Sequence, residues 1–441
     1  MALAAVDAAH AAFPGWSALG PSERRSRINR AADLLARKAE DFTALMAEEI
    51  GASSAWAHFN VLLASGMLRE AAAMTTQIAG EVIPSDRPGS FAMAIRQPVG
   101  VCLGIAPWNA PVILATRAIA MPLACGNTVV LKASETCPKT HGLLAEILDQ
   151  AGLGTDVVKV VANQEHEAAE VVEALISHRD VRRVNFTGST RVGRIVGALA
   201  GRELKPALLE LGGKSPLIVM ADADIDEAVG AVAFGAFMNQ GQICMSTERV
   251  VIDERVADEF VAKLRAKVAA LPVGDPSRGA VIGPLIADRS AERFVALIDD
   301  AKAKGADVTG GQRLEPRLFS PAVADKVEAG MDLFSQESFG PVVTVVRASS
   351  DDAIVRIAND TEYGLAGGIF TKDVTKALRI AHKVQTGSFH INGPTVHDEA
   401  QMPFGGMKDS GFGRFGGKAA IHEFTDLRWI TIATEPVHYP F

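Results

Sequence analysis

The sequence predicts an α/β protein: a doubly wound parallel sheet, then a second α/β unit, with a small β element made partly by the chain's last strand. Three observations predict it. Short apolar runs alternate with helical stretches from residue 101 onward. That alternation resumes after a Gly-Gly pair at 212–213. The strand-like segment LRWITI (427–432) then stands apart from both series. Strand–helix repetition favours parallel sheets, whose right-handed crossovers bring ligand sites to the carboxyl ends of the strands.

The elements follow in order. The Ala-rich start, MALAAVDAAHAAFPGW, has no basic leader and holds Asp7 and His10 in its apolar stretch, so it reads as a helix rather than a signal peptide. Residues 22–79 read as helices, opened by Ser22 as N-cap, with Ile28, Ala31, Leu34 and Leu35 at helical spacing. GEVIPSDRPG (80–89) is a turn-rich break, and FAMAIRQ (91–97) a strand. VCLGIAP (101–107), TVVLKAS (128–134), VVKVVAN (157–163) and VRRVNFTG (181–188) are strands that each lead into a helix. Beyond the Gly-Gly boundary come SPLIVM (215–220), helices at 224–240 and 255–270, and strand-like segments at 341–347 and 367–370.

Composition narrows the function. Of 441 residues, 44 are basic and 52 acidic, a net charge of -8 that gives no electrostatic reason to bind nucleic acid. No stretch reaches the roughly 18 apolar residues of a membrane span. Cys102, Cys125, Cys137 and Cys244 form neither a disulfide framework nor a metal-ligand spacing, so a metal-free protein of a reducing compartment, the cytoplasm, is expected.

Several segments carry the chemistry. Glu210-Leu-Gly-Gly-Lys lies 34 positions before Cys244, which ends Asn239-Gln-Gly-Gln-Ile-Cys. Pro107-Trp-Asn109-Ala-Pro, Lys132-Ala-Ser-Glu135, Phe186-Thr-Gly-Ser-Thr, Glu337-Ser-Phe339-Gly-Pro and Pro403-Phe-Gly-Gly-Met-Lys-Asp-Ser-Gly-Phe-Gly-Arg414 complete the set. In this order and spacing, across nearly the whole chain, they resemble the aldehyde dehydrogenase superfamily.

The resemblance implies a thioester mechanism. A thiolate attacks a carbonyl carbon and is later displaced, and Cys244 is the expected nucleophile. A lone Cys is more often a small buried hydrophobe, which is the reading kept for Cys102 and Cys125, while Cys137 looks like a helix-entry residue. Glu210, set among leucines, is the expected general base for thioester hydrolysis, with burial raising its pKa; the alternative is a surface Glu. Relatives that transfer the acyl group to coenzyme A lack this carboxylate. The Asn109 amide and the Cys244 backbone N–H would hold the oxyanion, though Asn109 could simply cap a helix.

The strand-to-helix turn at Gly188-Ser189 offers free N–H groups to a phosphate, but its Gly-x4-Gly spacing is weak on its own. The resemblance extends the cofactor site to Ile105, Ala106, Pro107, Trp108, Lys132, Ser134, Glu135, Phe186, Thr187, Leu211 and Gly212, with Glu337 and Phe339 at the nicotinamide end. Glu135 would accept hydrogen bonds from the ribose hydroxyls and repel a 2′-phosphate, which favours NAD over NADP; the alternative is an ordinary acidic helix start. Residues 1–80 and 101–212 are expected to form the NAD-binding domain and 213–423 the catalytic domain. Strands in 81–100 and 424–441 would assemble a homodimer or homotetramer.

PWNAPVILATRAIAMPLACGNTVVLK and the ending HYPF look like the salicylaldehyde, vanillin and benzaldehyde dehydrogenases of bacterial aromatic degradation. In that branch the arginine eight residues beyond the oxyanion Asn, here Arg117, lines the aldehyde tunnel. It would bind a ring hydroxyl or stack on the ring. Alternatively it pairs with a carboxylate for structure, or holds the distal carboxylate of a semialdehyde; an aliphatic aldehyde is a further option. Family members usually begin with some forty residues of β-hairpin and arm, which this sequence lacks. Two other classes stay open: a non-catalytic structural relative, and a cofactor-free cysteine hydrolase, which would need a His beside Cys244.

Overall fold

The computed structural model describes residues 2–441. Four helices lead the chain: α1 (Ala2–Ser17), α2 (Pro21–Arg37), α3 (Ala39–Ile50) and α4 (Ser54–Met74). Pro21, rather than Ser22, opens α2, where a missing N–H costs nothing. Gly51 ends α3 in the left-handed conformation, and the Ser53 side chain caps α4 by accepting from Trp56 N. Two strands follow, β1 (Glu81–Ile83) and β2 (Ser90–Pro98).

The first sheet is built from β3 (Val101–Ile105), β4 (Thr128–Lys132), β5 (Val158–Val161), β6 (Val181–Thr187) and β7 (Ala207–Glu210). The helices between them are α5 (Pro111–Ala124), α6 (Pro138–Gln150), α7 (Ala168–Ser177) and α8 (Thr190–Arg202). β3 and β4 are apolar and buried throughout, except that Lys132 ends β4, as strands covered on both faces must be. α5 has no polar face: all fourteen of its residues are buried, Arg117 among them. β7 was not evident in the sequence, because Leu-Leu-Glu-Leu reads equally as an apolar flank of the Gly-Gly turn.

Gly212 and Gly213 carry the chain from β7 into the second sheet. Its elements are β8 (Ser215–Val219), α9 (Ile225–Phe237), β9 (Thr247–Asp253), α10 (Glu254–Ala269), α11 (Asp288–Ala303), β10 (Asp307–Thr309), a small ribbon of β11 (Arg313–Glu315) with β12 (Leu318–Phe319), β13 (Ala322–Asp325), α12 (Asp332–Ser335), β14 (Val342–Ala348), α13 (Asp351–Asn359), β15 (Ala366–Phe370), α14 (Val374–Ala381) and β16 (Ser388–Ile391). The strand order is β10-β13-β14-β9-β8-β15-β16, parallel apart from β10.

The chain then returns to the first sheet. β17 (Gly411–Phe412) pairs antiparallel with β7, giving the order β17-β7-β6-β3-β4-β5. Phe404, Phe415 and Phe424 join the apolar core formed by α2, α4 and α5. Residues 404–423, grouped by sequence with the second unit, therefore pack on the first. After α15 (Ala419–Glu423), β18 (Thr425–Ala433) pairs with β2 over nine residues and makes a separate three-stranded sheet with β1.

Gly411 is opposite Glu210 in the β17–β7 pair, at φ +105°, and a Cβ there would overlap the Leu209 carbonyl. Gly411→Ala is therefore expected to destabilise the protein by about 2 kcal/mol or more. A thermal melt should show a midpoint several degrees lower; an unchanged midpoint would contradict the pairing.

Candidate active site

Register brings the distant motifs together. Ile105 is level with both Lys132 and Phe186, and Thr187 with Glu210. The residues after these strands, Ala106–Trp108, Ser134–Glu135, Gly188–Ser189 and Leu211–Gly212, therefore share the sheet's carboxyl edge. Ser189 caps α8, its side chain accepting from Val192 N. The Lys132 ammonium and the Glu135 carboxylate form an ion pair, and Asn163 donates to the same carboxylate oxygen at 3.1 Å. Burial works to raise the Glu135 pKa, but hydrogen bonds from Lys132, its own backbone N–H and Asn163, together with the Lys132 charge, outweigh it and the net shift is downward.

Cys244 follows a backbone forced into an uncommon shape. Asn239, Gln240 and Gly241 have φ of 50°, 56° and 71° in succession. A run of left-handed residues is strained and persists only where its surroundings fix it. Here Asn239 donates from Nδ2 to the Asn109 carbonyl at 3.1 Å, and Trp56 Nε1 donates to the same oxygen at 2.9 Å. A Cβ on Gly241 would strike the Gly340 carbonyl. The Asn109 side chain donates from Nδ2 to the Gln242 carbonyl at 3.0 Å. That bond uses one of the two amide hydrogens, so a second donor remains. Among the described residues no acceptor engages the Cys244 backbone N–H.

Glu210 ends β7 fully buried, and neither carboxyl oxygen has a hydrogen-bond partner. Burial pushes its pKa up to about 8, with Arg117 opposing and Asp398 assisting. Burial also holds the Cys244 thiol well above the usual range, and the Glu210 carboxyl is the next cause. Both groups thus rest protonated near neutral pH and sense the same neighbours. Cys244 is half-buried, whereas Cys102, Cys125 and Cys137 are buried. The one Cys–His contact joins Cys137 to His141 at 3.8 Å; burial lifts that thiol to about 12 and drops the imidazole to about 4, so no thiolate–imidazolium pair forms.

A second network holds the Glu337–Phe339 loop. Buried Lys214 donates to Glu248 at 2.7 Å, and Glu248 accepts from the Ser338 and Phe339 backbones, each at 3.0 Å. Glu337 accepts from Gly213 N at 3.0 Å, and burial, then Glu248, raises its pKa to about 7. A Cβ on Gly212 would come within 2.8 Å of that carboxylate, and one on Gly213 would collide with the Cys244 carbonyl. Phe339, at φ 47°, meets Trp108 edge-on with centroids 5.9 Å apart.

Arg117 projects from α5 and pairs with Asp398; each side chain is only 5% exposed. The guanidinium lies 4.1 Å from the Phe404 ring centroid and 5.9 Å from that of Phe415. These groups, with Met67 and Met121, line a cleft. The carboxylate partner weighed as the structural alternative for Arg117 exists, and Arg117 still faces the cleft.

Trp56, Glu248 and Asp398 escaped the sequence reading, and Gly213 and Lys214 entered it only as motif residues without a role at the site. Lys214 and Glu248 left a signal, each a lone charge inside or beside an apolar strand. Asp398, in the polar stretch HDEAQ, left none. A surface group of Asp7, His178 and Asp180 is explained by ion pairing, with His178 Nε2 at 3.3 Å from Asp7.

Residues 2–430 match the model of the aldehyde dehydrogenase family, and the chain belongs to that family. It is an enzyme, an oxidoreductase of the pyridine-nucleotide-dependent kind. It is 60% identical to a vanillin dehydrogenase of Pseudomonas fluorescens over 99% of this chain and 91% of that one. The solved structure of a salicylaldehyde dehydrogenase from Pseudomonas putida G7, complexed with salicylaldehyde, superposes with a TM-score of 0.98 at 48% identity, covering 100% of this chain and 91% of the other. A betaine aldehyde dehydrogenase from Staphylococcus aureus, solved with NAD+, gives 0.95 at 30% identity, covering 100% and 89%.

The buried Glu210 has a consequence for stability. Its carboxyl keeps its proton to about pH 8 in the folded state but loses it near 4.5 when unfolded. A raised acid pKa contributes stability below the unfolded value that is lost as pH climbs through the folded one, a swing on the order of 5 kcal/mol. Glu210→Gln removes that slope. Relative to the native enzyme, its melting temperature should rise between pH 5 and pH 9; a constant offset across that range would refute the buried, proton-bearing carboxyl.

Proposed function

We propose that this aldehyde dehydrogenase oxidises aromatic aldehydes of the salicylaldehyde, vanillin and benzaldehyde type to their acids. The observation that carries this reading is the apolar cleft of Met67, Met121, Phe404 and Phe415, with the Arg117–Asp398 pair at its wall and both charges felt by Cys244 and Glu210. Aromatic rings bury well against methionine and phenylalanine. The names of the relatives point the same way. A semialdehyde is a poorer fit, because Asp398 already neutralises the Arg117 charge that would hold its carboxylate.

In this reading Cys244 gives its proton to water and attacks the aldehyde carbon as the thiolate, and the spare Asn109 amide hydrogen with the Cys244 N–H receives the oxyanion. Glu210, in its ionised form, takes a proton from the water that hydrolyses the thioester. Its pKa of about 8 suits a base in use near neutral pH. A pyridine nucleotide, when bound, supplies the hydride acceptor. The residues present fit that group: the Ser189-capped start of α8 suits the phosphates, Lys132 and Glu135 the adenosine ribose, Glu337 and Phe339 the nicotinamide end. Gly212, where any side chain would press on the Glu337 carboxylate, keeps that end open. The Glu135 carboxylate, held ionised, favours NAD over NADP.

We assign the six-stranded sheet to cofactor binding and the seven-stranded sheet to catalysis. The β1-β2-β18 sheet we assign to assembly into dimers or tetramers. Val82, Leu427 and Trp429 stand exposed on it, at 69%, 60% and 76%, as a patch that a second subunit would cover. No helix among the described residues is long and apolar enough to cross a membrane, and the free thiols fit a cytoplasmic enzyme.

Absorbance at the NADH band tests the reading directly. Salicylaldehyde, vanillin and benzaldehyde should give kcat/KM at least about tenfold above succinic semialdehyde and hexanal, and NAD should outperform NADP. A preference for either non-aromatic substrate would overturn the aromatic assignment, and equal rates with the two cofactors the role of Glu135. Among variants, Cys244→Ala should lose at least about 10³-fold in kcat, and Asn109→Ala about 10²- to 10³-fold. Retained oxidation by either would remove that residue from the mechanism.

A further inference from the structure

Asp398 has an oxygen that Arg117 does not use. The ion pair is made through Oδ2. Oδ1 is buried and has no hydrogen-bond donor. Leaving a buried acceptor without a donor is costly, more so for a charged one. The free oxygen belongs to a residue that lines the cleft together with Phe404 and Met121. The cleft thus has a largely apolar lining that also carries Glu70 and Glu399, an unsatisfied acceptor on Asp398, and a cation whose charge is already compensated.

Resting on the aromatic reading above, we infer that Asp398 is a specificity-determining residue: its Oδ1 accepts a hydrogen bond from a ring hydroxyl, selecting hydroxylated aromatic aldehydes and rejecting carboxylated ones. An O–H group satisfies the acceptor and leaves its charge in place. A methoxy group at the same ring position fills the same space but has no hydrogen to give. A carboxylate brings a second negative charge beside Asp398, with Arg117 already paired. With Arg117 paired, the further carboxylates of Glu70 and Glu399 leave the cleft wall net negative, so it does not draw in acidic aldehydes. Arg117 is then the positioning residue that holds Oδ2 and so turns Oδ1 free. Phe404, packed on the guanidinium face, holds Arg117 in turn.

The test compares kcat/KM for the 2-, 3- and 4-hydroxybenzaldehydes with their methoxy counterparts, benzaldehyde, 4-carboxybenzaldehyde and hexanal. The native enzyme should favour hydroxy over methoxy roughly 10- to 100-fold at one ring position at least, and should use the carboxylated substrate poorly. In Arg117→Met/Asp398→Leu, which replaces the pair by apolar groups, the hydroxy-to-methoxy ratio should fall to near one. Asp398→Asn keeps the shape but leaves the Arg117 charge uncompensated, so 4-carboxybenzaldehyde should gain at least about tenfold relative to benzaldehyde. Should the double variant fail to fold, as judged by its melt, the Asn variant decides. A ratio unchanged in a folded double variant, or no gain by the Asn variant, overturns the role of Asp398 while benzaldehyde turnover leaves the aromatic reading intact. Hexanal preferred over every ring by the native enzyme overturns both.

Discussion

The whole arrangement depends on one steric constraint, the passage between the two sheets at Gly212–Gly213. The Glu337 carboxylate presses on the first of these residues and the Cys244 carbonyl on the second. Neither position has room for a Cβ. This close approach sets the end of β7, which carries Glu210, against the loop that carries Cys244 and the loop that carries Phe339. A larger residue would separate strand, nucleophile and aromatic loop together. Motifs from three places in the sequence therefore form one site through backbone contact, with side-chain bonds adding precision afterwards.

Those bonds come in two layers. Asn109 is held by its carbonyl, through Trp56 and Asn239, so its amide is free to be spent on the Gln242 carbonyl and one more acceptor. Lys214 and Glu248 fix the Ser338–Phe339 backbone from beneath, at the cost of burying two charges. Buried pairs of this kind add little net stability, but losing one partner is expensive. The loop is thus locked by a pair that cannot be halved cheaply.

Much of this was legible in the sequence, for physical reasons. Strands β3 and β4 are near-continuous apolar runs ended by turn residues, and such runs declare themselves, while β6 shows itself by buried Val181, Val184 and Phe186 ahead of its turn. The Gly-Gly boundary coincided with the change of sheet, and the last strand was separate from both sheets, pairing with β2. What escaped was contact between distant segments. β7 is four residues long and indistinguishable from the flank of a turn. The return of residues 404–423 to the first sheet leaves no periodic trace, because glycines and isolated phenylalanines carry it. Arg117 in an apolar helix called for a partner, but nothing in HDEAQ singled out Asp398 over its acidic neighbour Glu399. That choice is made only by the folded cleft.

The protonated state of the resting site bears on its chemical durability. Thiolates, not thiols, react readily with peroxides and electrophiles. Three of the four thiols are shut away from solvent, and the fourth is kept as S–H by burial and by its acidic neighbour. Under oxidative stress the most accessible of the four thiols would therefore be met in its less reactive form.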